Sequence, residues 1–155
     1  MILPLAVSFG CGKNEPSPAT HASSESEPTF GAPENWATVF FHADLTVALD
    51  TTRIEPMSDG SYLLWFQKMW VTPRKVESQP FNRELICALV RCEPLGFKTV
   101  SLTLFHDDGP PLAQKRAPVI EAVKEEWKTP APGSADEGSF QQACINLPRL
   151  AIAKK

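Results

Sequence analysis

The sequence is short of positive charge and of long apolar runs. Its 155 residues hold 15 lysines and arginines against 18 aspartates and glutamates, which gives a formal net charge of −3. A nucleic-acid-binding domain usually carries a basic patch or stripe, so this balance argues against nucleic acid as a partner. No apolar run reaches the ~18 residues that a transmembrane helix needs. The sequence therefore predicts neither a nucleic-acid binder nor a membrane-spanning helix.

Metal-binding and catalytic signatures are also scarce. The three histidines are scattered, and none of the four cysteines forms a CxxC pair, so we expect no zinc site, because zinc ligands usually come in pairs at short spacing. Neither a P-loop nor a GxGxxG motif occurs, and we expect no cofactor. His106 beside Asp107 has the composition of a catalytic pair, but the sequence places no nucleophile near it. We therefore predict a protein that is not an enzyme.

The N-terminal segment MILPLAVSFGC resembles the end of a bacterial signal peptide whose cysteine becomes lipidated. Residues 2–10 are apolar or small, and Gly10 precedes Cys11. Ser8 and Phe9 fit such a segment poorly, and the positively charged n-region is missing, which a start site placed too far downstream would explain. We predict a signal-peptide remnant at residues 1–10 and lipidation at Cys11. The alternative is an ordinary apolar N-terminus.

A linker is predicted between Cys11 and the folded part. Residues 12–33 are rich in serine, proline and glutamate, and such a composition cannot bury enough apolar area to offset the entropy lost on ordering. We assign residues 11–33 to the lipidated cysteine and a disordered linker, with an ordinary disordered tail as the alternative.

The cysteine count leaves several pairings open. If Cys11 carries lipid, three cysteines remain, and one disulfide and one free thiol follow. If Cys11 is unmodified, two disulfides can form, whereas a cytosolic protein would keep all four cysteines reduced.

Strands are predicted along most of the folded part, residues 34–148. The run SYLLWFQKMWV, residues 61–71, is largely apolar on both faces, which is typical of a central strand covered on both sides. The next stretch, VTPRKVESQPFN, holds two prolines and is predicted as a polar connection. Residues 83–92 and 97–107 are predicted to form an antiparallel hairpin, and two further strands are expected at ATVFFH and LTVAL.

Alternation assigns faces to these strands. Cys87 and Cys92 are an odd number of residues apart, so a regular strand points them to opposite faces. Along residues 97–107 the same rule puts one set of side chains on one face: Phe97, Thr99, Ser101, Thr103 and Phe105. Residues 112–126 are ambiguous, because Pro118 interrupts them and VIEAVKEEW fits one helical turn or two.

A short helix is predicted near the C-terminus. Ser134 and Glu137 form an S-x-x-E capping box, in which each side chain bonds the other residue's amide. Four residues then recur at helical spacing and form the apolar face of this helix: Phe140, Ala143, Cys144 and Leu147. Residues 149–155 are predicted as a C-terminal tail.

The order of these features resembles the surface-adhesin protein E family of bacterial envelope proteins. Trp36 leads the first strand, and Asp50 with Thr51, Thr52 and Ile54 ends the second. The next features in order are Gly60 and Trp65, then Cys92 before a KTVSLTLF strand with Ser101, and finally Trp127, Pro132, Gly133, Ser134 and Cys144. The similarity spans about residues 36–147, and Cys87 has no counterpart in the pattern.

The resemblance implies an α+β fold, with an antiparallel β-sheet on which a short C-terminal helix packs. It also implies a disulfide from the strand cysteine to the helix cysteine, Cys92 to Cys144, with Cys87 in place of Cys92 as the open alternative.

For function, the resemblance implies a non-enzymatic lipoprotein of the cell envelope that acts as a surface binding or adhesion module. Candidate surfaces are the exposed aromatic part of residues 61–71 and the charged stretch with Arg74, Lys75 and Glu77. The alternative is an accessory subunit of a larger envelope complex. A protein partner is expected in the envelope or outside the cell, and a homodimer fits either function. Gly12, not aspartate, follows Cys11, which favours the outer membrane, facing the periplasm or the exterior.

Overall fold

The computed structural model of the chain describes residues 35–152, with the backbone alone at positions 151 and 152. The predicted signal-peptide remnant, lipidation at Cys11 and the linker therefore lie outside the described residues. Six antiparallel strands form one sheet in the order β1 to β6, and two helices follow. The bounds are β1 Trp36–His42, β2 Leu45–Pro56, β3 Tyr62–Val76, β4 Gln79–Arg91, β5 Gly96–Phe105, β6 Pro111–Arg116, α1 Val119–Ala122 and α2 Ala135–Ile152.

This architecture confirms the predicted α+β fold, an antiparallel sheet with a C-terminal helix packed on it. Each strand pairs with its neighbour in the chain, as expected where short turns join strands of alternating polarity. The hairpin predicted at 83–92 and 97–107 is present as β4 and β5. The helix α2 continues to Ile152 and so includes the first part of the predicted tail.

The prediction of a polar connection after residue 71 is wrong. The chain remains extended through Val76, turns at Glu77 and Ser78, and returns as β4 from Gln79. Both turn residues have positive φ, 47° and 72°, as a two-residue hairpin turn requires. Residues 71–82 form a hairpin arm whose strands pair with each other. Strands with an open edge tolerate proline, which explains how Pro73 and Pro80 fit into the arm.

The ambiguous stretch after residue 111 divides into a strand and one helical turn. β6 pairs with β5 as the last strand of the sheet, and α1 then covers four residues beginning after Pro118. Proline is well placed there, because it ends the strand and precedes a helix whose first amides need no partner within it.

The helix α2 packs on one side of the sheet, which we call the helix face. Phe140 lies at the centre of this contact, with its ring centroid 5.3 Å from that of Phe66 and 5.0 Å from that of Phe97. Around it lie the buried side chains Val47, Leu49, Leu64, Val90, Ala143 and Leu147. At Gly138 the helix approaches the sheet closely, since a Cβ atom there would lie 2.9 Å from the Phe40 ring. A larger residue at position 138 would force the Phe40 ring or the helix to shift.

The predicted capping box at the start of α2 is half confirmed. The Glu137 amide donates to Ser134 Oγ at 3.2 Å, as expected. The return bond differs, because Glu137 Oε2 accepts from the Gly133 amide at 2.7 Å and not from Ser134. The Ser134 amide is already engaged, since it donates to the Ala131 carbonyl in the turn before the helix.

The other side of the sheet, which we call the opposite face, carries a second cluster. Leu63, Cys87, Leu89 and Val100 are buried there against Ala122 of α1. Trp127 adds cover, with Arg91 and Lys98 stacked on its ring at 4.7 and 4.5 Å.

A bulge in β5 overturns part of the predicted face assignment. Cys87 pairs with Ser101 and Ala88 with Thr99, so Val100 is an extra residue between them. Phe97 lies on the helix face, but beyond the bulge Ser101 and the residues that alternate with it, Thr103 and Phe105, lie on the opposite face. One inserted residue exchanges the faces of everything after it. The predicted faces assumed a regular strand from residue 97 to 107, whereas the backbone has an extra residue at Val100.

A second irregularity lies in β2 and is built around Asp50. The pairing with β3 jumps from Leu49 to Ile54, and the buried Asp50 carboxylate accepts bonds from the intervening residues. Its partners are the Thr52 amide at 2.9 Å, the Thr52 hydroxyl at 2.6 Å and Arg53 Nε at 2.6 Å. Burial alone would raise the pKa of Asp50, but the bonds from Thr52 and Arg53 outweigh it and hold that pKa below its ordinary value.

The disulfide predicted between Cys92 and Cys144 is present, and it joins the end of β4 to the middle of α2. The Cα atoms are 5.7 Å apart, and the bond closes a separation of 52 residues. Cys87 is a free, buried thiol. Cys92 packs beside the helix-face cluster and Cys87 lies in the opposite-face cluster, so the two point to opposite faces as predicted.

We expect loss of the disulfide to be the most costly single change in this small core. The chain-entropy argument gives about 4 kcal/mol for a loop of this length, so Cys144→Ser should lower the free energy of unfolding by roughly that amount. Urea unfolding with and without dithiothreitol measures it. Cys87→Ala, which leaves the bond intact, serves as the control and should cost about 1 kcal/mol. An equal loss of unfolding free energy in the two variants would contradict the assignment of the disulfide to Cys92 and Cys144.

We expect Asp50→Asn to cost about 2 kcal/mol, because the charge-assisted bond with Arg53 is lost inside the bulge. The folded pKa of Asp50 is lowered, so its contribution is complete above about pH 4, the ordinary aspartate value, and is lost as pH falls through the folded value. Urea unfolding at a series of pH values should show the gap between the natural chain and the variant closing in acid. Glu125→Gln, at an exposed position just after α1, is the control and should change stability by less than about 0.5 kcal/mol. A gap that stays constant down to about pH 2 would contradict this role for Asp50.

Candidate functional site

The hairpin arm, residues 71–82, contains much of the surface that the sequence singled out. The last pairs that tie it to the sheet are Leu45 with Trp70 on one side and Arg83 with Phe105 on the other. Beyond them the strands of the arm bond to each other, and most of their side chains are exposed. The arm therefore extends past the core at the end of the sheet.

Asp44 fixes the base of the arm. Its carbonyl accepts from the Val71 amide at 3.0 Å, and its carboxylate accepts from the Thr72 amide at 2.9 Å. The bond from the Thr72 amide is the main cause that lowers the pKa of Asp44. These two bonds, one to the Asp44 backbone and one to its side chain, join the turn between β1 and β2 to the base of the arm.

The predicted charged surface is only partly available. The Arg74 guanidinium lies 3.6 Å from the centre of the Trp70 ring, and Trp70 Nε1 donates to Glu84 at 2.7 Å. Arg74 thus stacks against the arm itself, and Trp70 is half-buried beside the helix-face cluster. Lys75 and Glu77 are exposed at the tip.

An exposed apolar patch lies at the base of the arm. Phe41 is 76% exposed and Val71 is 74% exposed, which is unusual for side chains of this size within strands. Phe41 and Met69 both pair with Thr46, which places them on the opposite face, and Val71 follows two residues after Met69. We call Phe41, Met69 and Val71 the Phe41 patch.

Phe41 was not singled out from the sequence. The adjacent pair Phe40 and Phe41 indicates an exposed aromatic side chain. Neighbouring residues in a strand point to opposite faces, so only one of the two can lie under the helix. Phe40 takes the position beside Gly138, and Phe41 is left exposed.

The Asp107 carboxylate beside His106 is bonded to Asn82, and the Cys87 thiol is buried. His106 Nε2 lies 3.7 Å from an Asp107 carboxylate oxygen, but that aspartate also accepts from Asn82, and its amide donates back to Asn82. Burial, with a smaller contribution from the charge of Glu55, raises the pKa of the Cys87 thiol to about 12, so the reactive thiolate is disfavoured.

A cleft of about 410 Å³ lies beside the disulfide, between Tyr62, Glu93 and Leu147. Two of the polar side chains on its rim, Asp59 and Arg91, already have hydrogen-bond partners. Asp59 accepts from the Ser61 hydroxyl at 2.5 Å, which is the main cause that lowers the Asp59 pKa, and Arg91 Nε donates to the Pro94 carbonyl at 3.0 Å. The cleft thus offers few groups that converge on a small molecule.

Residues 35–152 contain no group of three or more histidine, cysteine, aspartate or glutamate side chains arranged to hold a metal ion. Neither helix within that range is long and apolar enough to cross a membrane.

Comparisons with protein-family models, with curated proteins and with solved structures give no match. The resemblance to the surface-adhesin protein E family stays a prediction from the order of residues in the sequence.

Proposed function

We propose that this protein is a non-enzymatic binding or adhesion module of the bacterial cell envelope, and that it binds a protein partner through the hairpin arm and the Phe41 patch. The observation that carries the proposal is the exposure of Phe41 and Val71, at 76% and 74%, beside an arm that extends past the core. Contiguous exposed apolar side chains with polar surroundings are typical of protein-interaction sites.

The construction of the arm supports this use. Its base is held by the two hydrogen bonds that Asp44 accepts, and Arg74 is stacked on Trp70, so little order has to be gained when a partner binds. A surface that is organised before binding loses less entropy on association. Lys75 and Glu77 at the tip supply polar contacts around an apolar centre, as in the rim and core of many interfaces.

The proposed location is the outer membrane, through an acylated Cys11, with the folded part facing the periplasm or the exterior. The Cys92–Cys144 bond supports an oxidising compartment, because disulfides are rare in cytosolic proteins. Two or more acyl chains would hold the chain stably at the bilayer, since each buried CH₂ contributes about 0.8 kcal/mol. Membership of the surface-adhesin protein E family stays part of the same proposal.

An accessory subunit of an envelope complex is the second candidate, and the same patch favours it, because an exposed apolar surface also fits a permanent neighbour. Purification from native membranes in mild detergent separates the two. A subunit should retain other envelope proteins in fixed ratio, whereas an adhesin should emerge alone or as a homodimer.

We expect Phe41→Ser with Val71→Ser to abolish binding and to leave stability nearly unchanged, because both side chains are already exposed to water. Full-length protein would be tested on immobilised extracellular-matrix extract for adhesion and by co-purification of envelope proteins for the subunit function. The expected result is at least a tenfold loss of affinity in whichever of the two interactions the natural chain shows. A loss of this size is typical when a central apolar pair of an interface is removed.

The matched control is Ile120→Ser with Ile145→Ser. These side chains are 71% and 63% exposed but lie on α1 and α2, away from the arm. Equal losses in the two double variants would show a nonspecific apolar effect. Unchanged binding in the Phe41 and Val71 variant would remove the patch from the proposal.

A further inference from the structure

The Cys92–Cys144 bond lies at the wall of the cleft of about 410 Å³, and both cysteines line that cleft. Both residues are half-buried, whereas the free Cys87 is only 2% exposed. A disulfide is reduced when a thiolate attacks one of its sulfurs, so the rate depends on access to that sulfur. The cleft therefore provides a path by which a small thiol reaches this bond without unfolding of the domain.

The charge of the cleft favours one kind of thiol. The described residues that line it bring two carboxylates, those of Asp59 and Glu93, against one guanidinium, that of Arg91. Glu93 is exposed in the turn that follows β4. An excess of negative charge attracts a cationic thiol and repels an anionic one within a Debye length, about 10 Å at about 0.1 M ionic strength.

The helix α2 has a weak point at the same cysteine. In a regular α-helix the amide of residue 148 would donate to the carbonyl of residue 144. Residue 148 is a proline, which has no amide hydrogen and whose ring crowds that carbonyl. The helical hydrogen bonding is therefore interrupted at Cys144, where the disulfide attaches.

The two parts of α2 are held to the sheet in different ways. Before Cys144, Asp136 pairs with Lys68 of β3 at 2.6 Å, and Phe140 packs on two aromatic rings of the sheet. After it, within residues 145–150, Leu147 is the one buried side chain. The later part therefore depends on the disulfide more than the earlier part does.

We propose that the Cys92–Cys144 bond is a redox-sensitive switch: a small dithiol reduces it through the cleft in the folded protein, and reduction frees residues 145–150 from the sheet. The part of α2 before Cys144 stays packed. The inference does not rest on the proposed function, because the cleft lies at the Arg91 end of β4 and the arm at its Gln79 end.

The exchange proceeds in two balanced steps. One thiolate of the dithiol forms a bond with one of the two sulfurs, the Cys92–Cys144 bond breaks, and the other cysteine leaves as a thiolate that takes a proton from water. The second thiolate of the dithiol then attacks the dithiol sulfur of this mixed disulfide. The dithiol is thereby oxidised to a cyclic disulfide, and the second cysteine leaves as a thiolate and is protonated in turn.

Reduction of the folded full-length protein by dithiothreitol tests the access. Acid quenching, alkylation and peptide mass mapping follow the loss of the Cys92–Cys144 link with time. Leu85→Ala, at a fully buried position of β4 away from the cleft, should raise the unfolded fraction by at least about tenfold. Attack through the cleft predicts that the rate of reduction changes by less than about twofold, because the folded state is the one attacked. A rate that rises in step with the unfolded fraction would overturn the proposal.

The natural chain in low urea supplies the same comparison if Leu85→Ala does not fold. Circular dichroism measures the unfolded fraction at each urea concentration. A rate of reduction that stays constant while this fraction rises supports attack through the cleft, and a rate proportional to the fraction overturns it.

Charge variants test whether the thiol passes through the cleft. Cysteamine is a cation and 2-mercaptoethanesulfonate an anion, and Glu93→Lys should lower the ratio of their two rates by at least about threefold. The matched control is Glu77→Lys, at the exposed tip of the arm, which changes the net charge equally and should leave the ratio unchanged. Equal effects of the two variants would exclude the cleft as the route and contradict the switch.

Hydrogen exchange tests the release of the helix end. After reduction, the amides within residues 145–150 should exchange at least about tenfold faster, whereas those of residues 135–143 should keep most of their protection. Pro148→Ala restores an amide that can donate to the Cys144 carbonyl, so the gain in exchange on reduction should be smaller in this variant. Unchanged exchange after reduction, an equal gain along the whole of α2, or a gain in Pro148→Ala as large as in the natural chain would overturn the proposed release.

Discussion

The contact between α2 and the sheet, fixed by the Cys92–Cys144 bond, is the constraint on which the rest of the structure depends. A six-stranded sheet with apolar side chains on both faces is not stable until those faces are covered. The helix covers one face through Phe140 and reaches β1 closely only because residue 138 is glycine. A core of this size is small, so a covalent link that removes freedom from the unfolded chain has a large share in holding the helix down.

Strand β4 relates this constraint to the proposed binding surface. It begins in the hairpin arm at Gln79 and ends at Arg91, next to Cys92. The disulfide and the arm therefore lie at opposite ends of the same strand, which pairs along its length with β3 and β5. The disulfide holds the helix at one end of this strand, and the other end presents the exposed side chains.

Sequence reasoning succeeded where local chemistry and packing agree. The β4–β5 hairpin has alternating apolar residues, and α2 has an S-x-x-E start followed by apolar residues at helical spacing. The arm was missed because its strands pair mainly with each other, so nothing selects for apolar alternation along them. The bulge at Val100 left no mark in the pattern of residue types. Residue spacing also left the partner of Cys144 open between Cys87 and Cys92, which only the family resemblance or the three-dimensional fold separates.

The most direct test of the central claim is a peptide mass map, under non-reducing conditions, of the protein taken from native membranes. If the protein is a disulfide-linked domain of the envelope, the map should contain a Cys92–Cys144 linked peptide, an unlinked Cys87 peptide and an acylated Cys11 peptide. Free thiols at all three cysteines of the folded part, with Cys11 unmodified, would contradict it. In that case the helix would be held by packing alone, and the proposals of export and surface binding would lose their basis.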